Sequence, residues 1–435
     1  TGKTVVALHR AVHLARVNPT AKVLVTTFSV SLARMLRQKL RWLTGDDVQL
    51  AERIVVAAID DIGITLYEEW FGTPKIATSG MMQSLLGTVS HEIGGHNFSE
   101  RFLMQEWTEV VDAWQLKSWE AYRDVARLGR KTRLGERQRA ALWTVFECAE
   151  QRLREGAVFT KPMVFAAVVE ELERSGAISF DFAVVDEAQD VNVPQLRFLA
   201  ALAAGRPDGL FFAGDLGQRI FQTPFSWKSL GVDVRGRSST LRINYRTSHQ
   251  IRQQADHLLG PEISDVDGIV ESRRGTISAF NGRDPDVRVL PTEAAEAELI
   301  GSWIRERIDE GMLPQEIGVF VRSAEQVPRA REAVANAGLS VTVPAAGVDP
   351  EPGKVVLMPM HLAKGLEFRA VVVAACDDEV LPLQSRIESV ADESDLEEVY
   401  HTERHLLYVA CTRARDQLLV TAVVPGSEFL EDLKS

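Results

Sequence analysis

The chain has 435 residues, 45% of them hydrophobic and 25% charged, which is enough to bury a large core and favours more than one domain. It has no run of about 20 apolar residues, which argues against a membrane-spanning helix, and no signal-peptide pattern. Its three cysteines lie far apart without CxxC spacing, which argues against a disulfide framework and a structural zinc site. These features predict a cytoplasmic setting. The net charge of −12 argues weakly against nucleic acid, but binding depends on where the cations lie, and residues 121–140 carry seven Arg or Lys against two acids.

The first part of the chain alternates helix and strand. After TGKT at residues 1–4, Val5, Leu8, Val12 and Ala15 are spaced as one face of a helix. Residues 23–27 and 54–59 have the apolar character of strands, and residues 32–40 that of an amphipathic helix. This alternation is typical of a parallel α/β sheet. From about residue 62 to 175 helix formers dominate, which predicts a helical insertion.

Alternation resumes after the insertion. Residues 182–185 and 210–213 are predicted strands of the first block, and a second α/β block follows. Its candidate strands are 317–321, 355–358, 371–375 and 418–422. Residues 260–286, rich in Gly, Pro, Asp and Ser, are predicted to be loop. The pattern predicts an α/β protein with one domain at 1–61 and 176–240, an insertion at 62–175, and a second domain at 241–435.

Two segments of the first domain predict a nucleotide site. Gly2, Lys3 and Thr4 match the last three positions of a G-x-x-x-x-G-K-[ST] phosphate loop, whose first glycine would lie before residue 1. We therefore expect a chain that begins at Thr1 to bind ATP poorly. An apolar strand leads directly into Asp186 and Glu187, and paired carboxylates there suit a Mg²⁺-dependent NTPase. Alternatively, the two acids only start a turn and cap the next helix.

Further segments accompany the phosphate loop in a fixed order along the chain. They are 26–29 (TTFS), 186–190 (DEAQD), 214–221 (GDLGQRIF), 244–247 (NYRT), 361–368 (HLAKGLEF) and 407–414 (LYVACTRA). Together with TGKT, this ordered set resembles motifs I to VI of the UvrD/Rep/PcrA-like DNA helicases of superfamily 1A. The resemblance implies a P-loop NTPase with two RecA-like parallel-sheet domains, a helical insertion (1B-like) in the first, and ATP bound between them.

The resemblance assigns roles to residues of the first domain. Thr1, Gly2, Lys3 and Thr4 would hold the phosphates of ATP, and Thr4 would also hold Mg²⁺. Asp186 would bind Mg²⁺ through its water shell, and Glu187 would polarise the hydrolytic water. Gln218 would sense the γ-phosphate and couple it to the DNA site.

The second domain would complete the ATP site. Tyr245 would stack on adenine, and Glu367 would contact the ribose. Arg246 and Arg413 would be arginine fingers, because a fixed guanidinium neutralises the charge that develops during phosphoryl transfer. The alternatives are a core aromatic for Tyr245 and a surface cation for Arg413.

Single-stranded DNA binding requires aromatic rings that stack on bases and cations that follow the phosphates. The candidates by family position, or by proximity to a motif, are Phe28, Arg34, Arg37, Phe221, Trp227 and His361. A core position is the alternative for each aromatic residue. Pro359 stands where the family has a threonine, which puts one phosphate contact in doubt. Most of the stretch between Arg246 and His361 is needed for the strands and helices of the second domain. The helical insertion that many relatives carry there, subdomain 2B, is therefore predicted to be absent or vestigial.

The resemblance implies an ATP- and Mg²⁺-dependent helicase or translocase that moves 3′→5′ on single-stranded DNA or at a single-strand/double-strand junction. One open alternative is a motor of the same fold that remodels a protein–nucleic acid complex, such as a stalled polymerase, with little unwinding. Another is a non-catalytic scaffold, which the presence of Lys3, Asp186 and Glu187 disfavours. No membrane partner is expected. A fused N-terminal domain, a protein partner and the pathway, DNA repair included, stay open.

Overall fold

Two parallel β-sheets, each covered by helices, organise the chain. The computed structural model describes residues 2–96, 98–125, 134–177, 179–203, 206–215, 225–259, 262–264, 267–268, 270–272, 275–343, 351–388 and 393–434. Within these ranges, no helix combines the length and the apolar character that a bilayer span requires. The predicted α/β class with two parallel-sheet domains is confirmed.

The first domain is built on a four-stranded parallel sheet of order β2-β1-β5-β6. Its elements are α1 (Lys3–Val17), β1 (Val23–Thr27), α2 (Val30–Thr44), α3 (Val48–Glu52), β2 (Ile54–Ala58), α4 (Ile59–Phe71), and, after the insertion, α9 (Lys161–Ser175), β5 (Phe182–Asp186), α10 (Val193–Leu202) and β6 (Leu210–Ala213). One face packs on α1 and α2 and the other on α4, α9 and α10. Helices cover both faces of this sheet, and all five residues of β1, three apolar residues and two threonines, are therefore buried.

The helical insertion has a hydrophobic core of its own. It comprises β3 (Lys75–Ile76), α5 (Ser79–Ile93), α6 (Glu100–Glu106), a π-helix (Trp107–Asp112), α7 (Trp119–Asp124), α8 (Glu136–Glu155) and β4 (Val158–Phe159). Trp107, Tyr122 and Phe146 lie at the centre of this core. The packing differs from the predicted boundaries of 62–175, because α4 and α9 bury their apolar faces against the first sheet. Helical composition alone does not distinguish a helix of the insertion from one that covers the sheet.

The second domain contains a six-stranded parallel sheet of order β11-β16-β15-β12-β14-β13. Its elements are β7 (Ile243–Asn244), α11 (His249–Asp256), β8 (Glu262–Ser264), β9 (Val270–Ser272), β10 (Ile277–Ser278), β11 (Asp286–Leu290), α12 (Glu293–Asp309), β12 (Ile317–Val321), α13 (Val327–Ala335), β13 (Val341–Thr342), β14 (Val355–Pro359), β15 (Phe368–Val373), α14 (Gln384–Ile387), α15 (Glu393–Cys411), β16 (Ala414–Val423) and α16 (Phe429–Lys434). Residues 260–286, predicted to be loop, contain the antiparallel pair β8–β9 and the strand β10, which pairs with β7.

Candidate active site

A cleft of about 190 Å³ lies between the two domains, at the carboxyl ends of strands β5 and β6 of the first sheet. Ligands of open α/β sheets bind at these ends, where the loops leave the strands. The residues that line the cleft are Gly2, Lys3, Thr4, Val5, Lys39, Asp186, Glu187, Ala213, Gly214, Asp215, Tyr245, Arg246 and Glu367. The structure thus brings together most of the ATP-site residues that the sequence predicts.

The start of α1 forms one end of the cleft. Gly2 precedes the helix with φ 81°, in the left-handed region that favours glycine. The amide groups of the first helical turn and the helix dipole create a positive potential there, which favours a phosphate. Lys3 lies beside this end and pairs with Asp215, with Nζ 3.2 Å from Oδ2. Thr1 falls outside the described residues.

Asp186 ends β5 and contacts the phosphate loop. Thr4 Oγ1 donates a hydrogen bond to its Oδ2 at 2.8 Å. Burial, and then the charge of Glu187, raise the pKa of Asp186 to about 6. A hydroxyl and a carboxylate side by side are the hard oxygen ligands that Mg²⁺ prefers. The described residues contain no cluster of three or more His, Cys, Asp or Glu side chains that could hold a metal ion.

Glu187 lies beside Asp186 in the cleft with an unusual backbone conformation. Its φ of 55° and ψ of 43° are left-handed, which costs a non-glycine residue on the order of 1–3 kcal/mol. Gln189 Nε2 donates a hydrogen bond to Glu187 Oε2 at 2.6 Å. The backbone strain and the hydrogen bond direct a carboxylate into the cleft, where it can accept a proton from a water molecule.

The second domain contributes an aromatic ring and an ion pair to the cleft. Tyr245 is 63% exposed, so its ring is accessible to a ligand. Arg246 Nε lies 2.5 Å from Glu367 Oε1. Although burial acts to raise the pKa of Glu367, the cations Arg246 and Lys39 hold it below its usual value. Burial likewise acts to lower the pKa of Arg246, but Glu367 and Glu187 raise it overall.

Arg413 does not line the cleft. Its side chain is fully buried and donates hydrogen bonds to the carbonyl oxygens of Val409 at 3.0 Å and Leu366 at 3.4 Å. Burial, and then the neighbouring charge of Arg246, lower the pKa of Arg413 to about 10. The guanidinium is therefore held against main-chain carbonyls behind Arg246, and the assignment of Arg413 as a second arginine finger stays a prediction.

Two charged residues of the cleft, Lys39 and Asp215, were not assigned to the ATP site by the sequence reasoning, which named Lys39 only as a weaker candidate for DNA contact. Asp215 follows β6 as Asp186 ends β5, so the rule that sites form at strand carboxyl ends could have found it. Lys39 lies in the middle of α2, where its sequence context resembles that of any solvated helical cation. Gln218 falls outside the described residues.

The domains also contact each other beyond the cleft. Lys364 Nζ lies 2.6 Å from the Asp190 carboxylate, and both side chains are almost fully buried. The same ammonium lies 5.8 Å from the centre of the Phe28 ring. Gly365 has φ 80°, and a Cβ atom there would overlap Leu32 of α2. These contacts place Phe28 at the junction between the domains.

The other DNA-contact candidates lie in different surroundings. Arg34 and Arg37 are both exposed on α2, and Arg37 donates a hydrogen bond to the carbonyl of Val56 at 2.6 Å. Trp227 packs edge-on against Phe212, with ring centres 4.8 Å apart, and is partly buried in the core of the first domain. Phe221 falls outside the described residues.

His361 follows β14 and is half-buried. Burial, and then the charge of Arg322, lower its pKa. The lowered pKa favours the neutral imidazole, which can contact a phosphate by hydrogen bonding.

Comparison with known proteins gives two family matches. Residues 1–224 match the UvrD/REP helicase N-terminal domain, and residues 344–424 match the UvrD-like helicase C-terminal domain.

Among individual relatives, the ATP-dependent DNA helicase UvrD2 of Mycobacterium tuberculosis is 25% identical over 79% of this chain and 51% of its own length. A probable DNA helicase of Mycoplasma pneumoniae is 24% identical over 58% of this chain and 45% of its own length. The chain thus spans about half the length of these relatives. A solved C-terminal domain of a possible DNA helicase from Lactobacillus plantarum is 25% identical to this chain. The match covers 44% of this chain and 94% of that chain, with a TM-score of 0.31.

Proposed function

The chain belongs to the UvrD/REP helicase family, and from this premise we propose that it is the ATP- and Mg²⁺-dependent motor of a DNA helicase that moves 3′→5′ along single-stranded DNA. The observation that carries the proposal is the composition of the cleft. Lys3, Thr4, Asp186 and Glu187 face it from one domain, and Tyr245, Arg246 and Glu367 face it from the other. A nucleotide bound there touches both domains, so its hydrolysis changes how they are held together.

Each side chain has a chemical task in this proposal. Lys3 and the first turn of α1 would neutralise the phosphates, and Thr4 and Asp186 would hold Mg²⁺, which would supply positive charge beside them. Glu187 orients the attacking water and accepts its proton. Arg246 leaves Glu367 for the γ-phosphate, where a guanidinium stabilises the charge of the transition state by roughly 10³–10⁵ in rate.

ATP turnover by the full-length protein tests the chemistry. We expect hydrolysis that is stimulated by oligo-dT and abolished in Lys3→Ala and Glu187→Gln. Glu187→Gln retains the shape of the side chain and removes only its ability to accept a proton, so ATP binding should survive while turnover is lost. Turnover at the wild-type rate in Glu187→Gln would refute the assignment of Glu187.

The direction of movement needs a separate experiment. We expect the protein to displace the short strand of a duplex that carries a 3′ single-stranded tail, and to leave a duplex with a 5′ tail intact. A blunt duplex is the matched control, since it offers no loading strand. Displacement that depends on a 5′ tail would reverse the proposed polarity without affecting the ATPase proposal.

A second candidate function is a motor that remodels protein–nucleic acid complexes with little unwinding. The observation in its favour is that the region between α11 and β11 is small. Its described residues form only the three short strands β8, β9 and β10. Such a motor would displace streptavidin from biotinylated single-stranded DNA in an ATP-dependent reaction and would fail on tailed duplexes. Efficient displacement on both substrates favours the helicase.

A further inference from the structure

Gln189 joins the catalytic carboxylate to the end of β6. It lies two residues after Glu187 and is 6% exposed. Its Nε2 donates a hydrogen bond to Glu187 Oε2 at 2.6 Å, and its Oε1 accepts one from the backbone N–H of Asp215 at 2.9 Å. The amide orientation is fixed by this chemistry, because a backbone N–H can only donate and a carboxylate oxygen can only accept.

The backbone of residues 214–215 approaches Gln189 closely. A Cβ atom at Gly214 would lie 2.8 Å from Gln189 Oε1 and 3.2 Å from its backbone nitrogen. A side chain at position 214 would fit only if Gln189 or the 214–215 segment shifted, so the two are in close contact. A displacement of the 214–215 segment therefore acts on the amide of Gln189 and, through its hydrogen bond, on the carboxylate of Glu187.

The same short segment contacts the phosphate loop. The carboxylate of Asp215 pairs with Lys3, while its backbone N–H binds Gln189. The chain then continues into residues 216–224, which carry the γ-phosphate sensor Gln218 and the DNA candidate Phe221 predicted from sequence. The segment thus connects both sides of the hydrolytic site to the part of the chain that is predicted to sense DNA.

We propose that Gln189 is a positioning residue for hydrolysis: it holds Glu187 Oε2, so that Oε1 faces the attacking water, and it transmits movements of residues 214–215 to that carboxylate. This inference rests on the proposed role of Glu187. It makes the rate of hydrolysis dependent on the position of residues 214–215 and, if residues 216–224 sense DNA as predicted, on DNA. Gln189 exerts this effect from outside the lining of the cleft.

The test compares Gln189→Met with Gln195→Met in the full-length protein. Methionine retains the length of glutamine and makes neither hydrogen bond. Gln195 is the matched control, because it is equally buried, lies in the same domain and donates a hydrogen bond to Asp60 at 2.8 Å, away from the cleft. Thermal stability, ATP KM, oligo-dT affinity, and kcat with and without oligo-dT are measured for each.

For Gln189→Met we expect kcat in saturating oligo-dT to fall about 100-fold, as for a misplaced catalytic group, with ATP KM changed less than about threefold. The ratio of DNA-stimulated to basal turnover should approach one, while DNA affinity is unchanged. Gln195→Met should retain wild-type kcat and the wild-type stimulation ratio, even where its thermal stability falls as much.

A third variant separates the two hydrogen bonds and serves if Gln189→Met does not fold. When it is ionised, the glutamate of Gln189→Glu still accepts the N–H of Asp215 but repels Glu187 and cannot donate to it, so kcat should fall at a pH that keeps this carboxylate ionised. Wild-type kcat and stimulation in a folded Gln189 variant, or losses that match those of Gln195→Met, would overturn the proposal. Loss of turnover in Glu187→Gln alongside active Gln189 variants would overturn only the positioning role, whereas turnover in Glu187→Gln would overturn the role of Glu187 itself.

Discussion

The buried ion pair between Lys364 and Asp190 joins the two domains, and its removal has a calculable effect on stability. The side chains are 1% and 2% exposed, with Nζ 2.6 Å from the carboxylate. Burial raises the pKa of Asp190 to about 6, although Lys364 acts to lower it, so desolvation outweighs the attraction. Lys364→Met retains the apolar stem and leaves the carboxylate without its counter-charge. Breaking one partner of such a pair costs about 3–5 kcal/mol.

The loss of stability should depend on pH in a defined direction. The folded-state pKa of Asp190 lies above its ordinary value of 3.8, so the folded protein favours the protonated carboxyl group as pH falls through about 6. At pH 8 the Lys364→Met variant must either bury the unpaired carboxylate of Asp190 or protonate it, and protonation is unfavourable at that pH. At pH 5 most wild-type molecules already carry that proton. We therefore expect the full loss of about 3–5 kcal/mol at pH 8 and a clearly smaller one at pH 5.

The assay is urea-induced unfolding, followed by tryptophan fluorescence at both pH values, for Lys364→Met, Asp190→Asn and the double variant. The double variant should regain most of the lost stability, because neither charge is then left alone. The control is Lys161→Met, which removes an ion pair to Asp60 of the same 2.6 Å length but with side chains 54% and 26% exposed. An exposed pair contributes at most about 1 kcal/mol. Equal losses for the two lysine variants, or a loss at Lys364 that is independent of pH, would refute the reasoning.

Asp112 in the insertion is buried, and burial raises its pKa to about 7 although Thr160 and Gln115 donate hydrogen bonds to it. Because the folded-state pKa of Asp112 exceeds the usual 3.8, its ionisation destabilises the folded protein as pH rises from about 4 to about 7. The free energy of unfolding of Asp112→Asn should therefore rise relative to that of the wild type in this window, by up to about 1.4 kcal/mol per pH unit. A stability difference that stays constant from pH 4 to pH 8 would contradict this. For the DNA path, Phe28→Ala should weaken oligo-dT binding by about 1–3 kcal/mol at every salt concentration, whereas Arg34→Ala should reduce the salt slope by about 0.7. Anisotropy titrations that give both variants the same slope would place the path elsewhere.

The sequence predicted the interior strands of both sheets well, because a strand buried on both faces is a continuous apolar run. The observed bounds of β1 and β12 coincide with the predicted ones. The edge strand β11 was missed, since its DVRVL sequence alternates with polar residues and is at most half-buried. A strand that is only half-buried needs no unbroken hydrophobic run, whereas the edge strands β2 and β6 of the first sheet are apolar throughout and were predicted.

Some residues of the candidate site could likewise be predicted from the sequence, and others could not. Residues at strand ends, such as Asp186 and Glu187, could be predicted because parallel strands bring their carboxyl ends to one edge. The pairing of Lys364 with Asp190 joins residues 174 positions apart, and it depends on how the domains are docked. The burial of Arg413 likewise depends on α15 and β16 packing together, which its motif does not encode.

The ion pair between Arg246 and Glu367 has a consequence for product release. Both residues line the cleft, and Arg246 Nε pairs with Glu367 Oε1. If Arg246 binds the γ-phosphate as proposed, Glu367 would compete with ATP for the guanidinium and would weaken the net affinity for nucleotide. After hydrolysis the same competition would hasten the departure of phosphate. A motor that must bind a new ATP for every step benefits more from this rapid emptying than from tight binding.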